Sequence, residues 1–282
     1  MVADSSWKHR SISYAIQKPL FRTTYLKLKK IPLFRKVIQK VVELLFPSGT
    51  RIWLQIPNGR WKGLWVSLDP RYEMDYAKGT YEPLIEKAIV SGLTPGSVFY
   101  DVGAHIGVFS LLAARIVGES GAVFAFEADP DNADRIKEHA RRNDLDQIHV
   151  VPCAVWSAPG KLRFQRASLN SSHNQGAVAN DPLIRSEGTI EVQAVSLDCF
   201  SLEHPEPTLI KMDIEGGEAA ALQGSERIFV SHRPMLICEV HNQVAEDYVI
   251  QWLRSKRYDL TFPEKSRAFP RHLVARDSSP IR

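Results

Sequence analysis

From about residue 98 onward, short apolar runs alternate with longer stretches in which apolar residues recur every three or four positions. Val98–Val102, Ala122–Glu127, Ile148–Val155, Thr208–Asp213 and Met235–Val240 read as strands. Between them Val108–Val117, Pro130–Asn143, a stretch from about Glu218 to Phe229 and another from about Val244 to Ser255 read as helices. Asp259–Phe262 and His272–Ala275 supply a final strand pair. Strands separated by helical crossovers imply βαβ units, so the pattern predicts an α/β fold with a doubly wound, mostly parallel, seven-stranded sheet.

The flanking text reads differently. Tyr81–Val90 is helical until Leu93-Thr94-Pro95-Gly96 ends it, and residues 51–68 suggest two aromatic-rich strands turning at Asn58-Gly59. Residues 157–206 interrupt the alternation with polar, Gly- and Pro-containing text and one β-like stretch, Thr189–Leu197. A stretch of that length inside a compact domain points to a substrate-side insertion or lid. The predicted organisation is a helical extension over 1–50, a small β-hairpin over 51–80, and a main domain over 81–282 carrying the insertion 157–206.

Charge changes the picture only at the amino terminus. Residues 1–46 hold ten Lys/Arg against Asp4 and Glu43, a local +8 in a chain of net +4, which leaves −4 for the rest. Ile31, Leu33, Phe34, Val37, Ile38, Val41, Val42 and Leu45 recur there at roughly helical spacing. Such a segment either packs on the domain as a surface helix or rests peripherally on an anionic membrane. No apolar run approaches the roughly 18 residues of a membrane span, and no secretory signal is expected. Cys153, Cys199 and Cys238 are odd in number and lack CxxC spacing, which argues against a disulfide framework or zinc site and for a reducing cytoplasm. No nucleic-acid reader motif accompanies the basic residues, so nucleic acid is not an expected partner.

The candidate chemistry begins where Val98-Phe-Tyr-Asp101-Val-Gly103-Ala104-His105-Ile-Gly107 runs from strand through glycines into helix. Gly103 allows a sharp turn and close backbone approach to a ligand, and Gly107 allows tight packing as the helix starts. The spacing is GxxxG, which misses the GxGxxG of a dinucleotide site. Asp101, just upstream, would repel a pyrophosphate but suits a cationic amino-acid group. Glu127 ends the next strand, where an acid is placed to take ribose hydroxyls, with Ala128 beside it. Cys153-Ala154-Val155-Trp156 would flank an adenine ring.

With these residues in view, the sequence resembles the FkbM family of methyltransferases, of the Rossmann-like class I fold. The likeness rests on YDVGAHIGVFS at 100–110, FAFEADPDN at 124–132, IKMDIEGGEAAALQG at 210–224 and ICEVH at 237–241, with KGTYEP at 78–83 also similar. It departs at His105, where the family commonly has Asn, and at Ala128, where Pro is frequent. The resemblance implies S-adenosylmethionine as cofactor, and methyl transfer, usually to oxygen, on a sugar, lipid or secondary metabolite.

In a class I order the strand ending at Asp213 neighbours the first strand, which turns Asp213 toward the methyl group. Transfer from a sulfonium requires in-line alignment and removal of the hydroxyl proton. Asp213, Glu215 and Glu218 crowd together, and Glu239 and His241 close the adjacent strand; clustered carboxylates are expected to raise each other's proton affinity. One reading makes Asp213 or His241 the base, with Lys211, Glu215 and Glu218 ordering the loop. Another has Asp213, Glu239 and His241 hold Mg or Mn, an arrangement resembling catechol-type methyltransferases at fold level. A third gives Glu215 and Glu218 only the task of favouring a helix start. Ser171, Ser172, His173 and Asn174 form a polar patch suited to a hydroxylated acceptor or to solvent. Two other functions remain open: a nicotinamide-dependent oxidoreductase on the same fold, and a non-catalytic membrane-associated module.

Overall fold

In the computed structural model of the chain, which describes residues 40–47, 49–166, 176–178 and 188–278, the apolar runs lie side by side as strands. Most of the basic segment 1–46 and the patch Ser171, Ser172, His173 and Asn174 fall outside the described residues. The chain divides into two compact units, with the boundary between Tyr81 and Glu82.

In the first unit, β1 (Ile52–Gln55) pairs antiparallel with β2 (Trp65–Leu68), Ile52 opposite Leu68. Ile52, Leu54, Val66 and Leu68 are buried, as alternation along a one-faced hairpin requires. The connection is longer than the two-residue Asn58-Gly59 turn expected from the sequence. Pro57 has no N–H to continue the ladder, and the last rungs are Ile56 N–H to Leu64 O and Gly63 N–H to Ile56 O.

The second unit opens with α1 (Pro83–Gly92). The helix starts later than predicted because Pro83 disfavours helical geometry in the residue before it; Glu82 adopts φ 42°. There follow β3 (Val98–Val102), α2 (Val108–Val117), β4 (Ala122–Phe126), α3 (Pro130–Arg142), β5 (Ile148–Val151), β6 (Ala154–Val155), β7 (Gly160–Gln165), β8 (Ala177–Val178), β9 (Thr189–Val195) and α4 (Leu197–Phe200). After them come β10 (Leu209–Met212), α5 (Glu218–Gln223), α6 (Glu226–Ser231), β11 (Met235–Val240), α7 (Gln243–Ser255), β12 (Tyr258–Thr261) and β13 (Arg271–Asp277).

Seven strands form the main sheet in the order β12-β13-β11-β10-β3-β4-β5. The pairings from β11 through β5 are parallel, whereas β13 runs antiparallel to both β11 and β12. The sheet is therefore mixed: the β12–β13 connection has no helix, and without a crossover the chain returns antiparallel. Strand order reverses between β3 and β10, where Asp101 stands opposite Lys211. Ligands of open α/β sheets bind outside the carboxyl ends of the strands at such a reversal.

Two predicted elements are divided. Pro152 breaks the run 148–155 into β5, in the main sheet, and β6, which joins a separate sheet of order β6-β9-β7-β8. That sheet contains β9 and also β7, which the sequence reading treated as polar loop. The helix read from Glu218 to Phe229 is split at Gly224-Ser225. A Cβ on Gly224 would stand 2.3 Å from Trp156 O, and the Asp198 carboxylate accepts the Arg227 and Ile228 N–H groups at 2.8 and 3.0 Å, capping α6 afresh.

The core beneath the sheet is largely aromatic on one side. Tyr100 meets Phe124 and Phe126, and all three meet Phe200, edge to face at 4.9–5.7 Å, and the Tyr100 hydroxyl donates to Pro205 O at 2.7 Å. Such side chains contribute about 1.5–3 kcal/mol each on full burial, so β3 and β4, which carry the glycine turn and Glu127, are firmly seated.

Candidate functional site

The turn after β3 is built by hydrogen bonds from β4. Gly103 and Ala104 N–H both reach Phe126 O at 3.0 Å, and Gly103 takes φ 78°, a left-handed value that favours glycine. A Cβ there would lie 1.8 Å from the Asp213 carbonyl oxygen, so the absent side chain is what brings the two strand ends together. Gly107, also left-handed, packs against Ile136 of α3. Ala104 is buried, leaving Gly103 and His105 as the turn residues that face open space.

Glu127 is 7% exposed, and its carboxylate accepts His105 N–H at 2.7 Å and Asp129 N–H at 2.8 Å. Burial pushes it up to about 8 in spite of those two bonds. Asp129 caps α3 and is gripped by Arg166, whose Nε and Nη2 donate to its two oxygens at 2.7 and 2.9 Å. Glu127, Ala128, Ala154, Val155 and the turn line one solvent-open cleft with Asp213 and Glu215. Phe164 and Val178 of the second sheet complete the wall. Neither was singled out from sequence, because only the pairing of β7 with β8 brings them there.

Asp101 is placed differently from the sequence expectation. It is 0% exposed and is not among the residues lining the cleft; Ser110 Oγ donates to it at 2.6 Å, and Lys211 Nζ lies 3.8 Å away. Lys211, on β10, lies two positions before Asp213, which follows the strand, with Nζ 3.4 Å from both Asp213 Oδ2 and Gly103 O. Burial opposes its charge, but Asp213 and Asp101 outweigh burial and raise its pKa.

The carboxylates predicted to crowd do so, with consequences the spacing alone did not show. His241 sits between Glu218 and Glu215, Nδ1 to the first and Nε2 to the second at 3.2 Å each. Burial disfavours the imidazolium, yet these partners raise it to about 10, so His241 is a cation at neutral pH. Glu239 is raised to about 8, by burial first and then by the neighbouring charge of Asp213. Asp213 itself is held below the usual carboxylate range: burial would raise it, but Lys211 and His241 prevail. The expectation that clustering raises the proton affinity of every acid therefore fails at Asp213, because two cations stand beside it. The loop's strain falls at Glu215, with φ 52°.

The far side of this cluster is not legible from the spacing of residues along the chain. Glu239 pairs with His272 across β11 and β13. His272 Nε2 lies 3.6 Å from Glu82 and 3.7 Å from Glu239, and His272 Nδ1 meets Glu264 at 2.6 Å. One ligand atom each from Asp213, Glu239 and His241 lies within 4.8 Å of the others.

A reversed parallel sheet, a glycine turn at its switch point and an acid ending the neighbouring strand define a nucleoside-cofactor enzyme of the Rossmann-like class. The methyltransferase FkbM domain matches residues 101–260, and the chain belongs to that family of S-adenosylmethionine-dependent methyltransferases. It is 29% identical over 184 residues to the hexuronic acid methyltransferase AglP of Haloferax volcanii, covering 63% of this chain and 66% of that one. It is 28% identical over 177 residues to the 31-O-demethyl-FK506 methyltransferase FkbM of Streptomyces tacrolimicus, covering 53% and 67%. A solved methyltransferase FkbM from Methylobacillus flagellatus KT superposes with TM-score 0.48 and 20% identity, over 64% of this chain and 43% of that chain. The matches thus span about two thirds of the curated relatives' length. Membership of this family gives no support to the nicotinamide and non-catalytic alternatives. Among the described residues no helix is long and apolar enough to cross a membrane.

Proposed function

We propose that the chain transfers a methyl group to a hydroxyl of a saccharide or other hydroxylated metabolite, with Asp213 receiving the proton. The observation that carries this is that Asp213 lines the same cleft as Glu127, its backbone carbonyl held against the glycine turn by the bare Gly103. Glu127 would hold the ribose, the Gly103–His105 turn the amino-acid portion, and Ala128, Ala154 and Val155 with Phe164 the adenine. The fit rests on a buried acid at a strand end and a turn that a Cβ would fill. When bound, S-adenosylmethionine supplies an electrophilic methyl on a sulfonium.

Asp213 accepts the hydrogen bond of the acceptor hydroxyl and points the oxygen lone pair into the cleft. As the new C–O bond forms, that hydroxyl becomes far more acidic than any carboxylic acid. A carboxylate of lowered pKa is then still basic enough to take the proton. His241 does not fill this role, since both its nitrogens serve Glu215 and Glu218; it orders the loop as their shared cation. Methyl-labelled cofactor incubated with extract of the producing cells, read by mass spectrometry, tests the proposal. Label in a methyl ether supports it; label only on nitrogen or carbon overturns it.

The closeness of Asp213, Glu239 and His241 supports a second reading, in which they hold Mg or Mn. It requires His241 to lose its proton and one carboxylate partner, and predicts that a chelator abolishes turnover until the ion is restored. Exposed Val41, Leu44 and Leu45 support peripheral membrane contact by the basic segment; liposome co-sedimentation with and without residues 1–46 tests it.

A further inference from the structure

A second cleft opens on the same carboxyl edge of the main sheet, one strand beyond the acidic cluster. Its walls are the start of α7 at Gln243, the β12–β13 loop with Phe262, Lys265 and Arg267, and Arg271 at the head of β13, around about 790 Å³ of open space. The antiparallel register places Arg271 opposite Val240, beside the strand end that carries His241.

The charges on these walls do not cancel locally. Arg271 is spoken for: its Nε donates to Glu246, and its guanidinium lies 4.3 Å over the Phe262 ring. Glu264, the other acid of the wall, is turned inward, accepting from His272 N–H at 3.2 Å and meeting His272 Nδ1 at 2.6 Å. Lys265 and Arg267 are exposed, and neither has an ion-pair or hydrogen-bond partner among the described residues. The amino end of the 13-residue α7 adds the positive end of a helix dipole. Two uncompensated cations and a helix start around one opening favour an anion.

The cleft is joined to the reacting cluster. His272, 9% exposed, stands between Glu264 and Glu239, and its Nε2 is buried without a hydrogen-bond partner among the described residues. Glu264 on the cleft wall is thus linked through His272 to Glu239 of the acidic cluster.

Resting on the O-methyltransferase reading, we propose that this cleft binds the anionic group, carboxylate or phosphate, of a saccharide acceptor whose hydroxyl reaches Asp213. The acceptor is then an acidic sugar, chosen by charge at a distance from the methylated oxygen.

The test titrates the full chain, saturated with S-adenosylhomocysteine, with glucuronate, glucose 6-phosphate and glucose, followed by saturation-transfer NMR. At least one anionic sugar binds ten-fold or more tightly than glucose, and the better of the two tells carboxylate from phosphate. The double variant Lys265→Ala/Arg267→Ala loses that preference while its affinity for S-adenosylhomocysteine and its circular dichroism stay unchanged; Lys265→Arg/Arg267→Lys retains it. Equal binding of glucose, no detectable binding of any probe, or a preference that survives the double alanine variant overturns the proposal. Failure to bind S-adenosylhomocysteine would instead strike the methyltransferase reading on which it rests.

Discussion

Replacing Gly103 by alanine probes the contact that ties the cofactor turn to Asp213. Two costs are separable. The residue has φ 78°, and a left-handed backbone costs an alanine about 1–2 kcal/mol. The new Cβ also meets backbone, 1.8 Å from Asp213 O and 2.9 Å from Asp213 C, which no rotamer change relieves. Forcing the strand ends apart adds about 1–3 kcal/mol, by analogy with overpacked cores. Gly103→Ala should therefore lose about 2–5 kcal/mol. Gly216→Ala is the matched control: φ is 99°, but no atom lies within 4 Å of the added carbon, so only the conformational cost of about 1–2 kcal/mol applies. Urea unfolding of both variants measures the difference, and titration with S-adenosylhomocysteine should show weaker binding for Gly103→Ala alone. Equal destabilisation of the two, or a Gly103→Ala variant as stable as the parent, would refute the reasoning.

Other expectations follow from the same geometry. Asp198→Ala removes the acceptor for two N–H groups at the start of α6 and should cost about 1–2 kcal/mol in denaturant unfolding, with cofactor affinity little changed. Arg166→Met releases Asp129, whose N–H donates to Glu127, so S-adenosylhomocysteine should bind several-fold more weakly at nearly unchanged melting temperature. His241 is raised from its ordinary 6.5 to about 10; its stabilisation is complete below 6.5 and declines as pH rises toward 10. The stability gap between the parent and His241→Gln should accordingly be widest near pH 6 and close above pH 10, and a gap that widens with pH would contradict the assigned charge.

Much of this architecture was legible in the sequence because its punctuation is strong. β3, α2 and β11 fall on the residues their apolar periods indicate, and the β3–β10 neighbourhood follows from the order of the motifs. β7 was not legible: along Gly160–Gln165 only Leu162 and Phe164 are apolar, too few to set an alternation apart from loop. The break at Gly224 depends on Trp156 and Asp198, distant residues that no local window contains. In the site, the proximity of Asp213, Glu215 and Glu218 was legible from spacing, but the lowered pKa of Asp213 was not, because it is set by Lys211 and His241 and depends on burial and distance. Glu82, Glu264 and His272 were missed for the same reason, since only the antiparallel seat of β13 beside β11 brings His272 opposite Glu239.

The measurement that bears most directly on the whole account is calorimetric titration of S-adenosylhomocysteine into the full chain and into Glu127→Ala. The account predicts one-to-one binding at micromolar concentration for the parent and at least a ten-fold loss for the variant, whose fold persists by circular dichroism. No heat of binding to the parent at high micromolar concentration, or equal affinity in the two proteins, would contradict it.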